Sequence, residues 1–137
     1  MSLPSIFFTA TEAVAKDTHL NNDLPHDDVE ELGGIDTLKM STLWAIIDEK
    51  TWDVDSMDRF ETVYATEEEW MHRIPDELTK KLALLDDSKL TRVSKEWAAT
   101  DEMMCEPAEA EEVFRSIAKI AARSILTHRN FYLYTSL

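Results

Sequence analysis

Glycine is nearly absent from this chain, with two in 137 residues, Gly33 and Gly34, side by side. A P-loop, a dinucleotide-binding fingerprint and a nucleophile elbow each require spaced glycines, so those enzyme classes are excluded. Turn-rich all-β folds are disfavoured for the same reason. Cysteine occurs once, at Cys105, which rules out an intrachain disulfide and a cysteine-cluster metal site. A lone thiol suits a reducing compartment, and its neighbours Glu102 and Glu106 carry the sign that raises a thiol pKa. Long apolar runs are also missing. The longest, Leu43-Trp44-Ala45-Ile46-Ile47, falls far short of the ~20 residues a membrane span needs. The N-terminus lacks the basic region of a secretory leader, and the cytoplasm is the expected location.

Positive charge is the other scarcity. Lys and Arg number 14 against 28 Asp and Glu, for a net charge of −14 and a pI near 4.5. Such a surface is repelled by phosphate backbones and anionic lipids, so neither a nucleic acid nor a membrane surface is an expected partner. The charge serves solubility, or attraction to a basic protein. A homodimer is compatible with this composition.

What is present is enough to fold. The hydrophobic fraction is 44%, well above that of a disordered acidic chain, and 137 residues is the size of one domain, 1–137. Ser5-Ile6-Phe7-Phe8-Thr9 reads as a strand. Thr9 with Glu12 matches a capping box that starts a helix through Ala13, Val14 and Ala15. Asp27 with Glu30 is a second capping signal, and Gly33 a natural stop, which predicts a short helix between them. Asp36 caps the next helix, whose Met40, Leu43, Trp44 and Ile47 fall at i, i+3, i+4, i+7. Thr51 to Met57 reads as a loop. Glu61–Ala65 and Glu69–Ile74 are strand candidates, although Thr66 and its three glutamates also fit a helix start through Trp70.

Three helices follow. One starts at Pro75 with Leu78, Leu82 and Leu85 inward. The next is capped by Asp87 or Ser88, with Leu90, Val93 and Trp97 inward. The last runs from about Ala108 to Thr127 and buries Val113, Phe114, Ile117, Ile120, Ala121 and Ile125. Asn130-Phe131-Tyr132-Leu133-Tyr134-Thr135 closes the chain as a strand. Terminal strands that are apolar on both sides are natural neighbours in a covered sheet. The expected fold is therefore α+β, a small mostly antiparallel or mixed sheet packed by about five helices.

Motifs for chemistry are sparse. His19 and His26 stand among Asp23, Asp27 and Asp28, but at no spacing that makes a compact metal site. Glu69 and His72 make a single Glu-x-x-His, where a di-iron bundle needs two. His128 suits the end of a helix. No catalytic residue, cofactor or metal is expected. Trp44, Trp70 and Trp97 read as packing, whereas Trp52 lies among Asp53, Asp55 and Asp58 and suits either a binding surface or the core.

The charge pattern is the more informative signal. From Asp17 to Asp36 there are seven carboxylates and no Lys or Arg, and from Asp101 to Glu112 six more, again with no Lys or Arg. Beyond Val113 only Arg115, Lys119, Arg123 and Arg129 carry charge. The last helix is thus acidic at its start and basic at its end, as the helix dipole favours, and Glu111 pairs with Arg115. Its dipole explains part of the second run. The first therefore supplies the candidate partner-binding residues, Asp23, Asp27, Asp28, Glu30 and Glu31, with Trp52.

Ile35-Asp36, Leu43-Trp44 on an early helix, Val63-Tyr64-Ala65-Thr66-Glu67-Glu68-Glu69, and a long helix leading into Phe131-Tyr132-Leu133-Tyr134 resemble the small bacterial YfbM-like domains, a family of unknown function. The resemblance spans most of the chain and implies an α+β fold and a bacterial source. It carries over no catalytic residue. The chain departs from it at His128-Arg129-Asn130, where a glycine is expected between the last helix and the last strand. The favoured function is a non-enzymatic interaction protein of inhibitor or immunity type that meets a basic surface. The alternative is an enzyme whose carboxylates and one histidine converge from distant positions.

Overall fold

The computed structural model describes residues 4–21 and 29–136. Among them, five strands form one antiparallel sheet: β1 (Pro4–Ala10), β2 (Val29–Gly33), β3 (Glu61–Ala65), β4 (Glu69–Arg73) and β5 (Asn130–Ser136). Their order is β2-β1-β5-β4-β3, so the two terminal strands lie side by side at the centre, as their apolar composition predicts. The helices are α1 (Glu12–Asn21), α2 (Thr37–Ile47), α3 (Asp76–Ala83), α4 (Asp87–Ala98) and α5 (Pro107–Leu126), with a 3₁₀ helix at Val54–Arg59. The fold is α+β.

Period-two alternation divides the central strands between two cores. Phe7, Phe131 and Leu133 point into the larger one, where Met40, Leu43, Leu78, Leu82, Val93, Trp97, Phe114 and Ile117 of α2 to α5 meet them. Phe8, Ala10, Tyr132 and Met71 point to the other side, where Ala15 of α1 closes a smaller cluster. Phe7 tilts against Phe131 and Phe8 stacks on Tyr132, so each face has its own aromatic pair. Burying each such side chain is worth about 1.5–3 kcal/mol. Among the described residues no helix is long and apolar enough to cross a membrane.

Four sequence expectations need correction. The segment Val29–Gly33 is a strand, not a short helix. Five residues are too few to repay helix nucleation, whereas pairing with β1 from Phe8↔Val29 to Pro4↔Gly33 satisfies their backbone groups. The cap of α1 is Thr11, whose hydroxyl accepts from Val14 N–H at 3.3 Å, while Thr9 is buried in β1. The cap of α4 is Asp86, which accepts from Lys89 N–H at 2.8 Å. On α5 the buried position after Ala121 is Ser124, and Ile125 is 41% exposed. Ile117, Ile120, Ala121 and Ser124 complete one stripe, and Ile125 falls on its outer side. The expected cap and stripe of α2 are present: Asp36 accepts from Lys39 N–H at 2.9 Å, and Met40, Leu43, Trp44 and Ile47 are all buried, whereas Leu85, just past α3, and Val113 of α5 are only half-buried against the core.

Scarce glycine leaves its mark at the helix ends. The residue after a helix C-cap commonly takes the left-handed region, where a Cβ costs about 1–2 kcal/mol. Here Glu49 after α2 and His128 after α5 both occupy it, each at φ 56°. Both ends close with the paired Schellman bonds: Glu49 N–H to Ile46 O and Lys50 N–H to Ala45 O, His128 N–H to Ile125 O and Arg129 N–H to Ser124 O. His128→Gly should raise stability by about 1 kcal/mol, read as a higher thermal midpoint, while His128→Ala should give no comparable gain. A lower midpoint for the glycine variant would contradict this strain.

Candidate functional site: the open face of the sheet

Among the described residues of the first acidic run, Glu30 and Glu31 do not share one surface. Asp23, Asp27 and Asp28 lie outside the described residues. Glu30 and Glu31 are successive strand residues and so point to opposite faces. Glu30 is paired with Phe7 and shares the face of the large core, half-buried. Glu31 is paired with Ile6, exposed, on the face that α1 shares. Trp52 combines both of its expected roles. Its ring is 40% exposed, and its Nε1–H donates to Ser41 Oγ of α2 at 2.9 Å. Among the described residues no hydrogen bond, ion pair or ring contact joins Trp52 to Glu30 or Glu31.

The remaining motifs separate in the same way. Glu69 and His72, three apart on β4, fall on opposite faces and cannot share a metal. His72 is paired with Leu133 on the large-core face, where burial lowers its pKa and Nδ1 has no hydrogen-bond partner. Burial raises the Cys105 thiol, and the Glu109 and Glu106 carboxylates add to that shift. This is the direction expected from its acidic neighbours, and it leaves the sulfur a poor nucleophile. Trp44 and Trp97 are buried as expected, Trp70 only partly. His26 lies outside the described residues and His19 sits on α1.

What the strands do assemble is a row across the whole sheet. Pairing places Glu31 opposite Ile6, Ile6 opposite Tyr134, Tyr134 opposite Met71, and Met71 opposite Tyr64. All five residues are therefore on one face, one from each strand. Met71 is buried, whereas Ile6, Tyr134 and Tyr64 are half-buried and Glu31 is exposed. α1 covers the neighbouring row, with Ala15 packed beside Phe8 and Tyr132.

Glu69, two residues before Met71, shares this face and lies diagonally between the two tyrosines. Tyr134 Oη donates to Glu69 Oε1 at 2.7 Å and Tyr64 Oη to Oε2 at 3.2 Å. A tight hairpin turn holds the carboxylate there: Thr66 N–H donates to Glu69 O at 2.8 Å, and Thr66 Oγ1 accepts from Glu69 N–H at 3.0 Å. Burial first, then the Glu69 carboxylate, push Tyr134 up to about 12 and Tyr64 in the same direction. Both phenols are thus fixed as donors. A carboxylate held by two hydroxyls still has free lone pairs for an incoming cation, and tyrosine rings beside it offer faces to the same cation.

The titration has a defined sign. The folded pKa of Tyr134, about 12, lies above the ordinary value of 10.0, so the unfolded chain releases this proton first. The stability it contributes is complete below pH ~10 and is lost as pH rises towards ~12. In wild type, near-ultraviolet phenolate absorbance should show a late tyrosine phase. Glu69→Gln should move that phase to lower pH, and an unchanged curve would mean that Glu69 does not hold these phenols.

The strand alternation of Tyr132-Leu133-Tyr134 carries the signal for one side of this cluster, since it puts both tyrosines on a single face. The rest depends on register, which no local pattern supplies. No protein-family model, no curated protein and no solved structure matches this chain.

Proposed function

We propose that this chain is a non-enzymatic protein-interaction module, of inhibitor or immunity type, that receives a basic partner on the open face of its sheet. The observation that carries the reading is the row Glu31, Ile6, Tyr134, Met71 and Tyr64 with Glu69 clamped beside it. Half-buried aromatic and aliphatic groups next to positioned carboxylates are what an arginine- or lysine-bearing surface needs. The net charge of −14 adds long-range attraction, which speeds encounter and makes it sensitive to salt. The favoured contact therefore moves from the first acidic run as a whole to Glu31 and its neighbours on one face. A reducing, cytoplasmic location fits the lone thiol.

The competing enzyme reading gains no support from Glu77. Arg59 and Lys81 hold its carboxyl below the ordinary range, the reverse of what a proton donor needs. Among the described residues no group of three His, Cys, Asp or Glu could hold a metal ion.

Affinity purification from the native host, at low and high salt, tests the proposal. A partner with a basic surface should be retained at low salt and released at high salt. Glu31→Lys/Glu69→Lys should lose it, while charge reversal at the exposed Asp101 should not. Equal retention by all three proteins would count against the open face.

A further inference from the structure

We propose that the corner between α3 and α4 is a second binding site, for a small organic anion with an apolar body, as a medium-chain carboxylate has. A groove of about 280 Å³ lies there, lined by Ile47, Leu84 and Leu85 and by Lys80, Lys81, Asp86 and Lys89. Three lysines around one apolar floor run against the trend of a chain with net charge −14. Leu84 is 83% exposed, a large apolar side chain that folding leaves in water.

The charged groups of the rim differ in what they are free to do. Lys81 is committed, bonded to Asp48 and paired with Glu77 at 3.3 Å. Asp86 accepts from the Lys89 N–H and caps α4. The ammonium groups of Lys80 and Lys89 have neither a hydrogen bond nor an ion pair among the described residues. Two uncommitted cations therefore flank an apolar floor, the arrangement that takes a carboxylate head with its tail laid over Leu84, Leu85 and Ile47.

The size of the anion follows from the charge of the whole molecule. A nucleic acid or an acidic protein would bring many negative charges into the field of this surface and be repelled. A single carboxylate meets the local lysines at small long-range cost. The groove belongs to the helical layer that covers the large core, whereas the tyrosine row lies on the α1 side of the sheet. This second site is thus independent of the proposed partner face.

Octanoate is the probe, with octanol as its uncharged control, followed by backbone and methyl chemical shifts of the whole chain. The expected result is saturable shifts at Ile47, Leu84, Leu85 and Lys89, absent or much weaker with octanol. Lys80→Ala/Lys89→Ala should weaken octanoate by about tenfold, and these surface changes leave the core untouched. Leu84→Ser should weaken it as well without altering the charge. The proposal is overturned if shifts fail to saturate, if they map elsewhere, or if octanol binds as well as octanoate. Unchanged octanoate affinity in the double lysine variant would overturn it equally.

Discussion

Trp97→Ala is expected to cost about 3–5 kcal/mol of folding stability, a large part of the margin of a domain this size. Trp97 is fully buried and among the largest of the buried side chains. It reaches from α4 to two other helices at once. Its ring meets Phe114 of α5 edge-on at 6.1 Å, and its Nε1–H donates to Lys39 O of α2 at 3.1 Å. Alanine removes the ring, leaves a cavity between three helices and deprives a carbonyl of a donor. Trp97→Phe keeps most of the packing and loses a donor to a carbonyl that also serves α2, so it should cost only about 1 kcal/mol. Urea unfolding reads both. A loss below ~1 kcal/mol for alanine would mean that the helical layer does not close around this residue.

Ser5→Ala should produce the second largest loss, about 2–4 kcal/mol, although it deletes a single oxygen. The Ser5 hydroxyl sits in β1, fully buried, and serves Ile35 twice. It donates to Ile35 O at 2.7 Å and accepts from Ile35 N–H at 2.8 Å. Ile35 stands between β2 and α2, outside any ladder, so alanine would strand a donor and an acceptor together in the interior. Ser94→Ala is the contrast. That hydroxyl is also buried but donates to the Leu90 carbonyl, which already serves the helix, and its loss should cost under ~1 kcal/mol. Similar losses in the two variants would show that the Ser5 pair does not fasten β1 to the entry of α2.

These two sites illustrate how the sequence could and could not be read. Trp97 was legible, because Leu90, Val93 and Trp97 repeat at helical spacing and the stripe must face something. α2 and α5 were legible for the same reason, although Ile125 lies about 100° round the helix from the buried Ser124 and Val113 is only half-buried. The central pair of strands was legible because Phe7 and Phe8, and Tyr132 and Leu133, are apolar on successive residues, which only a sheet covered on both faces can bury.

β2 was not legible. Val-Glu-Glu-Leu-Gly after Asp27 has the chemistry of a helix start, and only its pairing with β1 makes it a strand. Thr9 and Thr11 show the same limit over two residues, since either can cap by local chemistry and the end of β1 decides between them. The candidate binding face was hidden for a related reason. Acidic runs are visible along the chain, but a strand sends Glu30 and Glu31 to opposite sides. The cluster of Tyr64, Glu69 and Tyr134 spans sixty-five residues between its carboxylate and its strongest donor. Composition locates charge, whereas register decides which charges share a surface.

The most direct measurement is an NMR titration of the whole protein with a short arginine-rich peptide at low salt. Saturable shifts should centre on Glu31, Ile6, Tyr134, Tyr64 and Glu69, and Glu69→Gln should weaken binding by about fivefold or more. Shifts spread over Asp53–Asp58 and Asp101–Glu112 in simple proportion to charge, unaffected by Glu69→Gln, would contradict a partner face on the open side of the sheet.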